Sequence, residues 1–452
     1  MIKYNISYVY FISLVASLGG LMFGFDLGII TGVVPYIEHQ FKLSGFSLGF
    51  VVAVFELGAM IGALGTAYLA NKYGRKSTMI FCAILLCITS VGVAYATGSN
   101  SLALWRFVQG VCVGAASVLS PMYIAEVAPA RVRGKLVALN QLSIILGILL
   151  SSICNFYFGE NDLGSNNWRY MFLSALVPSA LFLIFLFFIP ESPRWLLAKS
   201  KSEIMSNRIL NRIYKNNKEF VARQIADIKN ATSEGSRQST IALNVLFGKK
   251  FLPIVFIGFG IAILQQFCGI NNVTPFMQKI FIMAGIQLKD GLMNAVLVQL
   301  VFFAFTFVAI ALVDRIGRKI LMLIGTGLMA LSLFLLGWAF NSQSSGVLIL
   351  ILVMLYIATF AFTLGPVVWV LISEMFPAEI RGRAISLSSS VLWMGTFLVI
   401  LVSPYMLEIG AVFNFVFFGI LNVAGFLFCL FYLPETKGKT LEQMKDVWEK
   451  RI

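Results

Sequence analysis

The sequence predicts an all-α polytopic membrane protein: twelve transmembrane helices in two six-helix bundles, with short cytoplasmic helices between them. Three observations lead there. The chain is 59% apolar and only 12% charged, about half the charge of an ordinary globular domain. That is too little to cover a soluble protein of 452 residues, so soluble classes are excluded. The apolar residues fall into twelve runs, six on each side of one polar stretch, and the second six repeat motifs of the first in the same order.

A spanning helix takes about 20 apolar residues. Runs of that kind lie at 8–32, 46–70, 78–97, 101–124, 135–158 and 170–189, then at 252–282, 291–313, 319–340, 346–373, 384–406 and 411–433. The first follows a single early Lys and continues into Gly19-Gly20 without a small-residue cleavage site, so it reads as a span and not as a removable signal. Periodicity inside the runs carries little information, because a helix in lipid is apolar on every face. The polar stretch holds Arg208, Arg212, Lys215, Lys218 and Arg223 at helical spacing and is expected to form amphipathic or solvated short helices outside the membrane. The chain therefore divides into an N-terminal bundle (1–189), linker helices (190–250), a C-terminal bundle (251–433) and a tail (434–452).

The net charge is +14, from 34 basic and 20 acidic residues. With the termini, the even-to-odd loops and the linker in the cytoplasm, 29 basic residues lie inside. Only Lys42, Arg106, Arg169, Lys279 and Lys289 remain. Without the 12 of the linker the split is still 17 to 5. This is the positive-inside pattern, which places both termini in the cytoplasm and accounts for the charge without nucleic acid as a partner. The six cysteines form no CxxC pair, and His39 is the only histidine. No disulfide framework, metal site or cofactor is expected.

The halves repeat at a nearly constant offset. Asn71-Lys-Tyr-Gly-Arg-Lys76 recurs as Asp314-Arg-Ile-Gly-Arg-Lys319, 243 residues on. Glu126-Val-Ala-Pro129, leading to Arg133-Gly134, recurs as Glu374-Met-Phe-Pro377, leading to Arg381-Gly382, 248 residues on. Pro190-Glu-Ser192 recurs as Pro434-Glu-Thr436, 244 residues on. A duplicated six-helix bundle explains all three, and transporters are built this way, with the substrate between the halves.

These motifs, with Pro190-Glu-Ser-Pro-Arg194, Gln265-Gln266-Phe-Cys-Gly-Ile-Asn271, Gly365-Pro366-Val-Val-Trp369 and Pro434-Glu-Thr-Lys-Gly438, resemble the sugar porter family of the major facilitator superfamily over nearly the whole chain. They look most like its bacterial proton-coupled xylose and hexose symporters. The resemblance implies the major facilitator fold, alternating access and a set of site residues.

A charge at mid-bilayer is expensive and marks function or a pair. The resemblance makes Asp26, in the glycine-rich first run, the protonation site, and Arg106 in the fourth its partner. The alternative is that Arg106 snorkels to the outer interface. Glu56, in the second run, either shares the proton or only packs. Glu126 and Glu374, with Arg75, Arg133, Arg318 and Arg381, are implied to form ion pairs of a cytoplasmic gate.

Sugars need amide donors and acceptors together with an aromatic face. Gln141, Gln265, Gln266 and Asn271 supply the amides. Trp369, Trp393 and Phe23 supply the rings. Similar porters carry a tyrosine pair where this chain has Pro275 and Phe276, and polar residues where it has Phe302 and Leu392, so the C-terminal face of the pocket is more apolar than usual. The expected function is proton-coupled uptake of a monosaccharide, hexose or pentose, by a monomer in the lipid of the inner or plasma membrane. The alternatives are a passive sugar or polyol facilitator and a transporter-like nutrient receptor. The 19 residues from Pro434 are expected to be too short a tail for the receptor. An enzyme is not expected, since no nucleotide loop, metal cluster or nucleophile–base set is present in the sequence.

Overall fold

The computed structural model describes residues 4–161, 166–199, 202–215, 217–238, 246–248, 251–377, 380–437 and 448. Parts of the expected linker (200–201, 216, 239–245 and 249–250) and most of the expected tail lie outside the described residues. Among the described residues, twelve helices are long and apolar enough to cross a membrane. They are α1 (Ile6–Phe41), α2 (Gly45–Tyr73), α3 (Arg75–Ala94), α4 (Ser99–Val127), α5 (Arg131–Glu160), α6 (Asn167–Leu186), α7 (Leu252–Val273), α8 (Leu288–Val313), α9 (Arg318–Asn341), α10 (Gly346–Glu374), α11 (Arg383–Ile409) and α12 (Ala411–Phe431). Each expected run has its helix.

Two differences have clear causes. The first helix runs nine residues beyond its apolar run, through Pro35, to Lys42, whose left-handed backbone ends it. The seventh run is broken: Gly269 has φ +99°, the helix stops at Val273, and a short helix resumes at Met277–Met283. A positive φ costs glycine little, so the Gly-Ile-Asn of the motif is where the helix can turn.

Within the N-terminal half the helices meet backbone to backbone. Gly20, Gly24, Gly28 and Gly32 of α1 recur every fourth residue, and all four face α5. A Cβ on Gly24 would strike the Ile144 carbonyl. The α2–α4 contact is reciprocal. Gly58 and Gly62 lie on the carbonyls of Phe107 and Val111, and Gly110 and Gly114 on those of Phe55 and Ala59. Lipid gives no hydrophobic drive to join helices, so small residues that permit close approach do it.

The linker forms helices at Pro193–Ala198, Glu203–Ile213 and Lys218–Gln238. The second buries Ser206, Ile209, Leu210 and Ile213, one amphipathic face. Asn5 N–H donates to Ile213 O at 2.7 Å, which holds this helix against the start of α1.

The glycine contacts set a test. Gly24→Val should overpack the α1–α5 seam and destabilise the purified protein by about 1–3 kcal/mol. Gly65→Ala, with nothing within 4 Å of its added Cβ, should not. Thermal unfolding of the two variants in detergent measures the difference, and equal midpoints would rule out the seam as a stabilising contact.

Candidate functional site

Helices α1, α2 and α4 bring four polar side chains into one buried group. Arg106 is 2% exposed. Its guanidinium lies over the Phe55 ring at 4.3 Å and near Phe172 at 5.7 Å. Arg106 Nη1 donates to Gln109 Oε1 at 3.1 Å, and Gln109 Nε2 donates to Asp26 Oδ1 at 2.9 Å. Glu56, also buried, interacts electrostatically with the same arginine. Asp26 Oδ2, Glu56 Oε2 and Arg106 Nε make no hydrogen bond among the described residues. Arg106 therefore does not snorkel to an interface.

Nor does it touch Asp26 directly as the sequence suggested. The rings hold it on one side, and Gln109, one turn further along α4, spans the gap. Sequence reasoning passed over Gln109, although an amide three residues after the arginine on one helix was a readable signal.

The second group lies where α7, α10 and α11 meet. Thr363 (φ −124°, ψ −98°) interrupts α10 before Gly365-Pro366. Gln265 Nε2 donates to the Leu364 and Gly365 carbonyls there, both at 3.1 Å. Gln266 Nε2 donates to Gln265 Oε1 at 3.2 Å. Gln266 Oε1 accepts from Asn271 Nδ2 at 2.5 Å and from Thr396 Oγ1 at 2.8 Å. Gly395 packs against the Gln266 side chain. One turn back on α11, Trp393 meets Phe23 of α1 with ring centroids 5.8 Å apart. Three of the expected amides, with Phe23 and Trp393, are thus assembled, and Thr396 joins them unforeseen. Gln141 and Trp369 share no hydrogen bond or ring contact with the group. Gln141 is exposed, and Trp369 is 42% exposed.

At the end carrying the chain termini, the repeated motifs build one device twice. Gly74 and Gly317 both have φ +102°. Beside them a glutamate from the half's last motif caps the next helix. Glu191 accepts from the Arg75 and Lys76 backbone N–H groups at 2.9 and 3.1 Å, and Glu435 from those of Arg318 and Lys319 at 3.0 and 3.1 Å. Carboxylates at a helix N-terminus satisfy its free N–H groups. Arg75 pairs with Glu126 at 2.8 Å and Arg318 with Glu374 at 3.0 Å. The other oxygen of each glutamate accepts from Ser192 and Thr436, respectively. Both ion pairs stay within their own half. Among the described residues, Arg133 and Arg381 make no ion pair with either glutamate.

At the far end the halves are joined. Lys279 Nζ pairs with Glu38 at 2.7 Å and approaches Glu408 at 4.0 Å. Glu408 also accepts from the Gly45 N–H at 2.7 Å. Thr31 Oγ1 donates to Thr274 O at 3.0 Å, and Phe46 stacks on Tyr405 with centroids 4.9 Å apart. The far end is closed across the halves, while the arginine–glutamate pairs at the terminal end do not cross between them.

Two six-helix halves with buried polar groups inside the bundle define a secondary transporter of the major facilitator type. Residues 12–448 match the family described as sugar (and other) transporter, and the chain belongs to that family. It is similar to the D-xylose-proton symporter of Escherichia coli (strain K12), 36% identical over 484 aligned positions that cover 99% of this chain and 97% of the relative. It is also similar to the arabinose-proton symporter of Bacillus subtilis (strain 168), 33% identical, covering 99% and 97%. Among solved structures, the inward open conformation of the xylose transporter XylE from E. coli matches with a TM-score of 0.86, at 35% identity over 98% of this chain and 100% of that one. XylE bound to 6-bromo-6-deoxy-D-glucose matches at 0.79, with 36% identity over 98% and 100%. Of these two, the inward open form has the higher TM-score.

Removing the lysine that bridges the halves tests that closure. Lys279→Gln should cost about 1 kcal/mol of it, raising the ratio of far-end-open to far-end-closed molecules about fivefold. Spin-label distances between positions 47 and 409 read the ratio. An unchanged distribution would show that the apolar contacts alone hold this end.

Proposed function

We propose that this protein takes up a monosaccharide, hexose or pentose, together with protons, by alternating access. The observation that carries this reading is the buried chain Asp26–Gln109–Arg106 with Glu56 beside it. Passive diffusion of a neutral sugar has no use for three ionisable groups inside the bundle, and such groups are costly in a membrane. In this reading Asp26 binds the proton, Arg106 is its counter-charge and Glu56 is the second acid of the centre. Gln265, Gln266 and Asn271 hold sugar hydroxyls, and Phe23 and Trp393 offer ring faces to the apolar side of the sugar. Gln141 and Trp369 join the site when the halves close on it. The pairs Arg75–Glu126 and Arg318–Glu374, with Arg133 and Arg381, form the cytoplasmic gate, whose cross-half pairs belong to the opposite, outward-facing state.

The basic-residue count supports cytoplasmic termini in an inner or plasma membrane, with residues 1–189 and 251–433 as the moving bundles, 190–250 as the linker and 434–452 as the tail. A monomer in lipid, without nucleic acid, suffices for this cycle. The D-xylose and arabinose of the two symporters, with the glucose analogue bound in XylE, support a pentose or hexose. A passive facilitator of a less hydroxylated polyol is the second reading, favoured by Pro275, Phe276 and Phe302 on the C-terminal side of the pocket.

Asp26→Asn separates the two readings. In proteoliposomes it should abolish accumulation driven by a pH gradient, while counterflow, which moves no net protons, persists. Normal accumulation by the variant would remove Asp26 from the mechanism. For the pocket, Gln266→Ala takes a partner from Gln265, Asn271 and Thr396 as well as from the sugar. A lost hydrogen bond costs about 0.5–1.5 kcal/mol, so equilibrium affinity for D-xylose or D-glucose should fall roughly two- to tenfold. Asn100→Ala, on the exposed start of α4, should leave it alone. Equal affinities in the two variants would place the sugar elsewhere.

A further inference from the structure

In the proton centre, two acids and one arginine share a buried space, yet no direct ion pair forms among the described residues. A free guanidinium and carboxylate at this range would close into a paired fork, the strongest geometry open to them. Two features prevent it. The rings of Phe55 and Phe172 hold the Arg106 guanidinium from α2 and α6, a favourable seat for a desolvated cation. The Gln109 amide fills the remaining gap, its oxygen toward Arg106 and its nitrogen toward Asp26. An amide can bridge a cation and an anion in this way because it carries an acceptor and a donor on one rigid plane.

Resting on the reading of Asp26 as the proton site, we propose that Gln109 is a positioning residue of that site. It is a neutral spacer that ties Asp26 to Arg106 while keeping their charges from pairing directly, so the acid exchanges its proton with water without an ion pair having to break. With one proton on the two acids the group of Asp26, Glu56 and Arg106 carries no net charge, the condition under which a buried cluster can pass through a closed intermediate at least cost. The ionisable neighbours are few. Arg106 and Cys112 come from α4 and Glu56 from α2, and Cys82 of α3 lies beside Cys112. Among the described residues, α5 and α6 bring no charged group to Asp26.

The test needs no knowledge of the sugar. In the purified full-length protein, infrared difference spectra against Asp26→Asn isolate the carboxyl band of Asp26, which is then titrated with pH. Gln109→Ala removes both hydrogen bonds and opens the gap, which lets the guanidinium close on the acid. Gln109→Glu keeps the shape and sets a like charge beside it. An adjacent charge moves a carboxylate midpoint by about one unit or more, so the two variants should shift the Asp26 band in opposite senses by at least that much. Misfolding would not produce opposite shifts in the two variants. Midpoints that stay put, or that move together, overturn the role of Gln109. An Asp26→Asn difference spectrum with no titrating band would instead overturn the proton-site reading itself.

Discussion

Close approach of helix backbones is the constraint on which the rest of this structure depends. In lipid the side chains of neighbouring helices gain nothing by leaving an apolar solvent. What joins α1 to α5 and α2 to α4 is the absence of side chains at the contact. The stripe at Gly20, Gly24, Gly28 and Gly32, and the reciprocal pairs Gly58/Gly62 and Gly110/Gly114, press carbonyl against Cα. Asp26 stands on a different face of α1 from that stripe. Phe55 and Glu56 precede Gly58 on α2, and Arg106 and Gln109 precede Gly110 on α4. Each polar residue sits within one turn of a glycine contact, so the spacing of the buried charges is set by how closely the backbones meet.

The duplicated halves share a framework and divide the chemistry. Each has a left-handed glycine, a glutamate that caps the following helix, an arginine–glutamate pair and a hydroxyl residue on that glutamate's second oxygen. The agreement extends to Lys76 and Lys319, whose ammonium groups donate to the Phe187 and Leu430 carbonyls. Beyond this framework the halves differ. The N-terminal half buries the ionisable groups, and the C-terminal half carries the amide chain from Gln265 to Asn271 and Thr396. Phe23 and Trp393 are in ring contact across the two halves. A ring contact between the half with the acids and the half with the amides is a short physical route by which proton occupancy and sugar occupancy can affect one another.

The sequence by itself determined the number and order of the spans, the duplication, the family, and which residue types stand at the charged and amide positions. Those properties follow from composition, from length against bilayer thickness and from motifs read within a few residues of one another. The tertiary structure decided the contacts. Gln109 proved to stand between Asp26 and Arg106, Thr396 to complete the bonding of Gln266, and α7 to break at Gly269. Lys279, which the charge count left as an outer remainder, proved to clasp Glu38 across the halves, beside Glu408 of its own half. Two physical reasons account for the division. Helices apolar on every face give no periodic signal of which side meets a neighbour, so partners 83 or 241 residues apart cannot be read from spacing. Contacts between the halves also belong to one conformation of a moving protein, and a sequence encodes all of its conformations at once.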